Sequence, residues 1–392
     1  MSIRNIGPIA EAEISTKPFT VFFGPNNSGK STAALSLYAI SQVLVGRISE
    51  PRAYIGDLGW QIAANMIRYL RGTPSVFPRG IGFEVRNAIS RSKQDGGIAV
   101  DFDLNGKHFA LSIEMRKSKF SAHVRPSVKQ LRESIRSQTR RRLLKSAVQY
   151  IPASRAGMLQ TIYPLMYLKN TWIRDLGELA ALSGQRYLRP TASQLPLLLP
   201  HLEDFYELFL RYLGQGNISP VNEALGKIIG GQVQIESQAR GGTPVLTYTD
   251  PTGYSTSIEK AGSGVIEVFP LLLFLERLEK GGLLFIEEPE AHVEVRPQNT
   301  LVRHLVQKCK QDGISTVVTT HSDWIIFSFL QLVREGVISK EELALYYFDR
   351  HLGDFTHVTL VEPTKGGLVE RLTPFDEALE KMQSADLASA FS

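Results

Sequence analysis

The run Gly24-Pro25-Asn26-Asn27-Ser28-Gly29-Lys30-Ser31-Thr32 constrains this chain more than any other stretch. It fits the pattern Gly, four residues, Gly-Lys-Ser/Thr. Apolar Phe19 to Phe23 precedes it, and Ala34, Leu37, Ala39 and Ile40 follow at helical spacing. A strand, a Gly-rich turn and a helix start together make a nest of backbone N–H groups suited to a phosphate. In such a nest Lys30 reaches the β- and γ-phosphates and Ser31 offers its hydroxyl to Mg²⁺. Side chains at Gly24 and Gly29 would hold the backbone off the phosphate oxygens.

Three other stretches carry matching chemistry. Leu283 to Ile286 reads as a fully apolar strand that runs into Glu287-Glu288-Pro289-Glu290. The carboxyl edge of an open α/β sheet is where ligands bind. Glu287 is therefore expected to hold Mg²⁺, and Glu288 to polarise the water that attacks the γ-phosphate. Thr316 to Thr319 reads as the neighbouring strand, and His321 just beyond it can hydrogen-bond the γ-phosphate. Gly262-Ser263-Gly264 opens an amphipathic helix carrying Val265, Val268, Leu272, Leu275 and Leu278. Either Ser263 caps that helix, or Ser263 and Gly264 contact a γ-phosphate held by a second copy of the chain.

The 392 residues leave room for two domains or one large domain with insertions. No apolar run approaches the roughly 20 residues of a membrane span. Met-Ser-Ile-Arg-Asn leads straight into a strand pattern, so no signal peptide is expected. A single cysteine, Cys309, excludes an intrachain disulfide framework, and a cytoplasmic location is expected.

Strands are expected at Ser2 to Ile6, Ile9 to Ile14 and Phe19 to Phe23. Loops and short helices follow around Pro51, Pro74 and Pro78. Strict alternation about Asn105-Gly106 reads as a hairpin of residues 99–113, with Asp101 and Asp103 on its solvent face. One basic helix is expected from Pro126 to Val148, closed by a compact Pro/Gly segment, Tyr150 to Gly157. Residues 160–228 read as helical, and Gln232 to Glu236 resumes the strands. A hairpin of Val245 to Thr249 with Tyr254 to Ile258 precedes the βαβ pattern of the last third, in which Gln298 to Lys310 is a helix. A hairpin (Leu343 to Phe348, Thr356 to Val361) and a helix begun by Thr373-Pro374 complete the pattern.

Net charge is +5, unevenly placed. Residues 116–145 hold eleven Lys/Arg against Glu133, so this segment carries about +10 and the remainder about −5. Lys129, Arg132, Arg136, Arg140, Arg141 and Arg142 are its candidates for contact with nucleic acid or a partner protein.

Phosphate loop, Ser-Gly helix start, acidic strand end and histidine, in this order, resemble an ABC-type ATPase head. The wording Gly-Pro-Asn-Asn-Ser-Gly-Lys-Ser with Glu-Glu-Pro-Glu-Ala-His292 is similar to the branch of OLD-like and RecF-like ATPases and SMC heads. The resemblance covers residues 1–45 and 255–330, with Tyr150 to Gly157 as a further familiar segment. It implies an α/β fold, a P-loop ATPase head with a mixed sheet flanked by helices and a helical insertion. The corresponding division is 1–115 for the first part of the head, 116–230 for the basic, helical insertion and 231–392 for the second part. It also implies ATP with Mg²⁺, site residues Lys30, Ser31, Glu287, Glu288 and His321, and Ser263 acting across a head-to-head dimer.

The chain departs from transporter ATPases in lacking Leu-Ser-Gly-Gly-Gln, and from the family in having Val293-Glu294-Val295 where Leu-His-Pro is common. OLD nucleases add a TOPRIM domain after the ATPase. Roughly seventy residues follow His321 without a suitably placed acidic triad, so the chain is not expected to cut nucleic acid itself. The expected function is an ATP-hydrolysing switch, dimeric or a higher homo-oligomer. It would control a separate effector, a nuclease or toxin, in prokaryotic anti-phage defence, without a membrane. The alternative is a RecF- or SMC-like ATPase that clamps DNA directly, with DNA or RNA contact through the basic segment. A transporter motor is disfavoured by the Ser-Gly motif and the central insertion.

Overall fold

The computed structural model describes residues 1–44, 95–104, 106–116, 119–127, 129–131, 133–134, 147–153, 155–161, 200–236, 245–350 and 354–363. The chain opens with strands β1 (Ser2–Ile6), β2 (Ile9–Glu13) and β3 (Phe19–Phe23), then helix α1 (Lys30–Leu44). Strands β4 (Asp95–Leu104), β5 (Lys107–Arg116), β6 (Lys119–Arg125) and β7 (Val148–Ile151) follow, then helices α2 (Arg155–Gln160), α3 (Pro200–Leu213) and α4 (Ser219–Ile228). Next come β8 (Gln232–Glu236), β9 (Val245–Thr249), β10 (Ser255–Ser257), α5 (Ser263–Arg277), β11 (Leu283–Glu287), α6 (Val295–Asp312) and β12 (Ser315–Thr320). Helix α7 (Asp323–Arg334) and the hairpin β13 (Leu343–Asp349) and β14 (Thr356–Val361) end the described order.

Eleven strands form one mixed sheet in the order β6-β5-β4-β1-β2-β14-β13-β3-β12-β11-β7, and β10-β9-β8 form a small second sheet. Within the large sheet β13, β3, β12, β11 and β7 are mutually parallel. Their carboxyl ends therefore share one edge, with Phe23 beside Thr320 and Tyr347, and Glu287 beside Thr319.

The apolar runs without alternation have a simple cause: this block is covered on both faces. Phe19, Val21 and Phe23 point into a core with α3 to α7, whereas Phe22 points into a second core with α1 and the β1–β2 side. Likewise Leu284 and Ile286 face the first core and Phe285 the second. Each fully buried Phe or Leu contributes about 1.5–3 kcal/mol of transfer free energy. Among the described residues no helix is long and apolar enough to cross a membrane.

Several expectations need correction. Val148 begins strand β7 and does not end a helix, and Tyr150–Ile151 continue that strand as the parallel neighbour of β11. The segment Tyr150 to Gly157 is thus the sheet edge followed by α2. Helix α5 is not amphipathic: Val265 to Leu275 are all buried, because the sheet and four helices surround it. Helix α7, with Ser322 at its N-cap position but no side-chain capping bond, and strand β6 were not anticipated. The expectations around Pro51, Pro74 and Pro78, the helix at Thr373-Pro374 and residues 135–146 of the basic helix lie outside the described residues. Residues 129–131 and 133–134 are helical, with Leu131 buried.

Gly24 shows how tightly the sheet closes on the phosphate loop. A Cβ there would stand 2.4 Å from the Phe348 carbonyl oxygen, on a backbone with φ +137°. Gly106 also has a positive φ, +71°, but its Cβ would meet nothing within 4 Å. Gly24→Ala should therefore cost about 2–5 kcal/mol of unfolding free energy, and Gly106→Ala only about 1–2. Denaturant unfolding of both variants checks this; equal losses would show that the β13 backbone yields freely.

Candidate functional site

Lys30 is buried at the start of α1. Its Nζ donates to the carbonyls of Gly24 (2.9 Å) and Pro25 (2.7 Å), and lies 3.4 Å from Ser28 Oγ. Burial lowers its pKa to about 8, against the opposing pull of Glu288, Glu290 and Glu287. Pro25, Asn26, Asn27 and Ser31 are exposed around this buried charge, and Thr32 is half-buried. Asn27 takes the left-handed conformation (φ +59°), which asparagine tolerates well. Its carbonyl accepts a bond from the Arg350 guanidinium, which follows β13.

His321 links the phosphate loop to the acid turn. Its Nε2 is 3.1 Å from Glu288 Oε1, and its Nδ1 is 3.3 Å from Lys30 Nζ and 2.9 Å from the Gly24 carbonyl. A neutral ring protonated on Nε2 satisfies two of these contacts, donating to Glu288 and accepting from Lys30. The hydrogen bond from His321, with Lys30 nearby, holds the Glu288 carboxyl below its usual range despite partial burial. Glu288 itself sits at φ +45°, a strained backbone for a non-glycine residue, of the kind concentrated at working sites.

Glu287 is buried, with Oε2 3.4 Å from the Ala153 amide. Burial first, and then the Glu287 charge, push the Tyr150 phenol well above its ordinary range. Glu290 has a different task. Its Oε1 accepts from Thr320 Oγ1 (2.6 Å), the His321 amide (2.8 Å) and the Ser322 amide (3.2 Å), and so fixes the histidine loop. Gln298 on α6 ties the two loops again, donating to the Val293 carbonyl and accepting from Ser322 Oγ.

The edge thus brings together Gly24 to Thr32, Glu287, Glu288 and His321. Ser263 and Gly264 open α5 against the loop after the acid turn, where a Gly264 Cβ would stand 3.4 Å from the His292 carbonyl. Ser263 is not the cap: Gly262 occupies that position, and its carbonyl accepts from the Val265 amide. Lys129 is exposed, while Arg132, Arg136, Arg140, Arg141 and Arg142 lie outside the described residues. Ser31 Oγ and the Glu287 carboxylate are hard oxygen donors that could serve a divalent cation. Among the described residues no group of three or more His, Cys, Asp or Glu could hold a metal alone, so phosphate oxygens would have to complete its shell.

Sequence reasoning missed Arg155, whose side chain is fully buried and donates to the carbonyls of Glu287 and Glu288. A signal did exist: Glu267 is the lone charge in the apolar run Val265 to Leu275, and a buried charge requires a partner.

The protein family described as "AAA domain, putative AbiEii toxin, Type IV TA system" matches residues 19–326. No curated protein matches the chain. Among solved structures, the SmcHead bound to the C-winged helix domain of ScpA superposes with TM-score 0.51 at 11% identity, covering 92% of this chain and 96% of that one. An Smc head domain with an extended coiled coil, bound to the C-terminal domain of ScpA from Pyrococcus furiosus, gives 0.47 at 11% identity and 98% coverage of both chains. The SMC head domain from Thermotoga maritima gives 0.43 at 13%, covering 92% and 97%. The first of these shows the fold, that of an SMC-type ATPase head.

The bonds of Glu290 allow a check independent of turnover. Glu290→Ala leaves the Thr320 hydroxyl and the His321 amide without their acceptor, while the Ser322 amide keeps Thr320 Oγ1 at 2.9 Å, and should cost about 1–3 kcal/mol of unfolding free energy. Glu290→Gln, whose amide oxygen still accepts, should lose much less. Denaturant melts of the two variants measure the difference, and equal losses would count against the clamp.

Proposed function

The chain belongs to this AAA-domain family of P-loop proteins, and from that premise we propose that it binds and hydrolyses ATP, dimerises head-to-head on ATP and switches a separately encoded effector. The observation that carries this reading is the contact of Lys30, Glu288 and His321 at one sheet edge. Phosphate oxygens would draw Lys30 Nζ away from the Gly24 and Pro25 carbonyls, because an anion is the stronger acceptor. Mg²⁺, held by Ser31 and Glu287, would neutralise charge on the β- and γ-oxygens. His321 then turns to the γ-phosphate and releases Glu288, which accepts a proton from the attacking water as the bond to the leaving ADP breaks. Ser263 and Gly264 of a second copy would complete the γ-phosphate shell from the N-terminus of α5. The family description, with its Type IV toxin–antitoxin setting, supports a two-component system; that the partner protein is the effector, a toxin or nuclease acting in prokaryotic defence, is our proposal.

Glu288→Gln should bind ATP, lose at least about a hundredfold in turnover and sediment as a dimer with ATP·Mg²⁺. Wild-type turnover in this variant would move the base elsewhere, and a monomer with ATP would count against the head-to-head arrangement.

A second reading is direct contact with DNA or RNA. Arg116, Arg125 and Lys129 are all exposed at the far, β6 side of the sheet, on the segment that also holds Arg132, Arg136, Arg140, Arg141 and Arg142. Replacing Arg116, Arg125 and Lys129 with Glu should lower duplex affinity and flatten its log–log salt slope by roughly one for each phosphate no longer neutralised. Filter binding at several salt concentrations tests this, and an unchanged slope would remove the nucleic-acid reading.

A further inference from the structure

Arg155 is the largest fully buried side chain described. Its fork is spent almost entirely on main-chain oxygens. One terminal nitrogen donates to the Pro152 (2.9 Å) and Glu287 (2.7 Å) carbonyls, and the other to the Glu288 carbonyl (2.9 Å). Nε donates to the Glu267 carbonyl (3.1 Å) and makes an ion pair with its carboxylate at 2.7 Å. The guanidinium therefore spans two consecutive carbonyls at the point where Glu288 takes its left-handed backbone. A planar, five-donor fork is suited to this, and a lysine ammonium is not.

The counter-charge comes from the helix that carries Ser263. Glu267 lies four residues after Ser263, so both occupy one face of α5 a single turn apart. The other carboxylate oxygen of Glu267 accepts from the Ala156 amide (3.1 Å). A buried ion pair is weak evidence for stability, since apolar residues of similar size often serve as well. It is better evidence for a geometry that must be held.

We infer that Arg155, anchored by Glu267, is a positioning residue that sets the Glu287–Glu288 turn and ties it to the helix presenting Ser263. Engagement of Ser263 with the nucleotide of a second copy then bears on the water-activating carboxylate of its own subunit through helix α5 and the Glu267–Arg155 pair. This rests on the ATPase reading above and deepens it.

The test compares three variants of the full chain with wild type: Glu267→Gln, Arg155→Lys and the double change Arg155→Met with Glu267→Met. The readouts are melting temperature, ATP·Mg²⁺ affinity and kcat. The double variant has no unpaired buried charge; its orphaned carbonyls should lower the melting temperature, but it should fold and bind ATP·Mg²⁺ with wild-type affinity. Its kcat should nevertheless fall about ten- to a hundredfold, because the carbonyls of Glu287 and Glu288 lose their common donor. Arg155→Lys should fall equally. A folded double variant with wild-type kcat shows a merely structural pair and overturns the inference. If neither Arg155 variant folds, the near-isosteric Glu267→Gln decides: a tenfold fall in kcat at unchanged affinity supports it, and an unchanged kcat overturns it. Glu288→Gln run in parallel separates the two claims. If Glu288→Gln is inactive while these variants turn over normally, only the present inference fails. If Glu288→Gln turns over normally, the assignment of Glu288 as the base fails and this inference with it.

Discussion

The parallel register of β3 between β12 and β13 is the constraint on which everything at the site depends. It sets Phe23 level with Thr320 and Tyr347, while β12 sets Thr319 level with Glu287. A slip of one residue would turn each strand's side chains to the opposite core. Because Phe19, Val21 and Phe23 serve one core and Phe22 the other, that slip would be costly on both faces at once. The register thus holds together, at one edge, a loop, an acid turn and a histidine that are far apart in sequence.

At that edge the chain keeps several charges partly or wholly out of water. Lys30 is neutralised by dipoles, chiefly the carbonyls of its own loop. Glu288 is held by the His321 ring, and Glu290 by a hydroxyl and two amides. Arg155 is met by Glu267 and by three carbonyls of Pro152, Glu287 and Glu288. In the proposed reading, the contacts of Lys30 and Glu288 are ones that an incoming phosphate would compete for directly. Those of Glu290 and Arg155 lie behind the reacting edge and fix the turns themselves.

Much of this was legible in the sequence, for a physical reason. Lys30, Glu287, Glu288 and His321 each follow a short apolar run, and a run without alternation marks a strand buried on both faces that ends at the ligand edge. Apart from the lone buried charge of Glu267, nothing pointed to Arg155, because the acceptors that define its role are main-chain atoms 132 and 133 residues away, brought near by the pairing of β7 with β11. Strand β7 has only four residues, too few for a periodic signal, and so read as the end of the basic helix and the start of a Pro/Gly segment. Glu290 could not be given its role from the sequence, since its work as an acceptor is defined largely by backbone amides that carry no sequence signature. The amphipathic reading of α5 failed because its polar positions are few and its one buried acid is paired.

We propose that the buried Lys30 ammonium, held on loop carbonyls, is poised for a nucleotide phosphate. Calorimetric titration of ATP·Mg²⁺ into wild type and Lys30→Ala tests it most directly. Charge-assisted hydrogen bonds contribute about 1.5–3 kcal/mol each, so wild type should bind saturably and Lys30→Ala at least about tenfold to a hundredfold more weakly. Equal affinity in a folded Lys30→Ala protein would show that Lys30 does not bind the nucleotide.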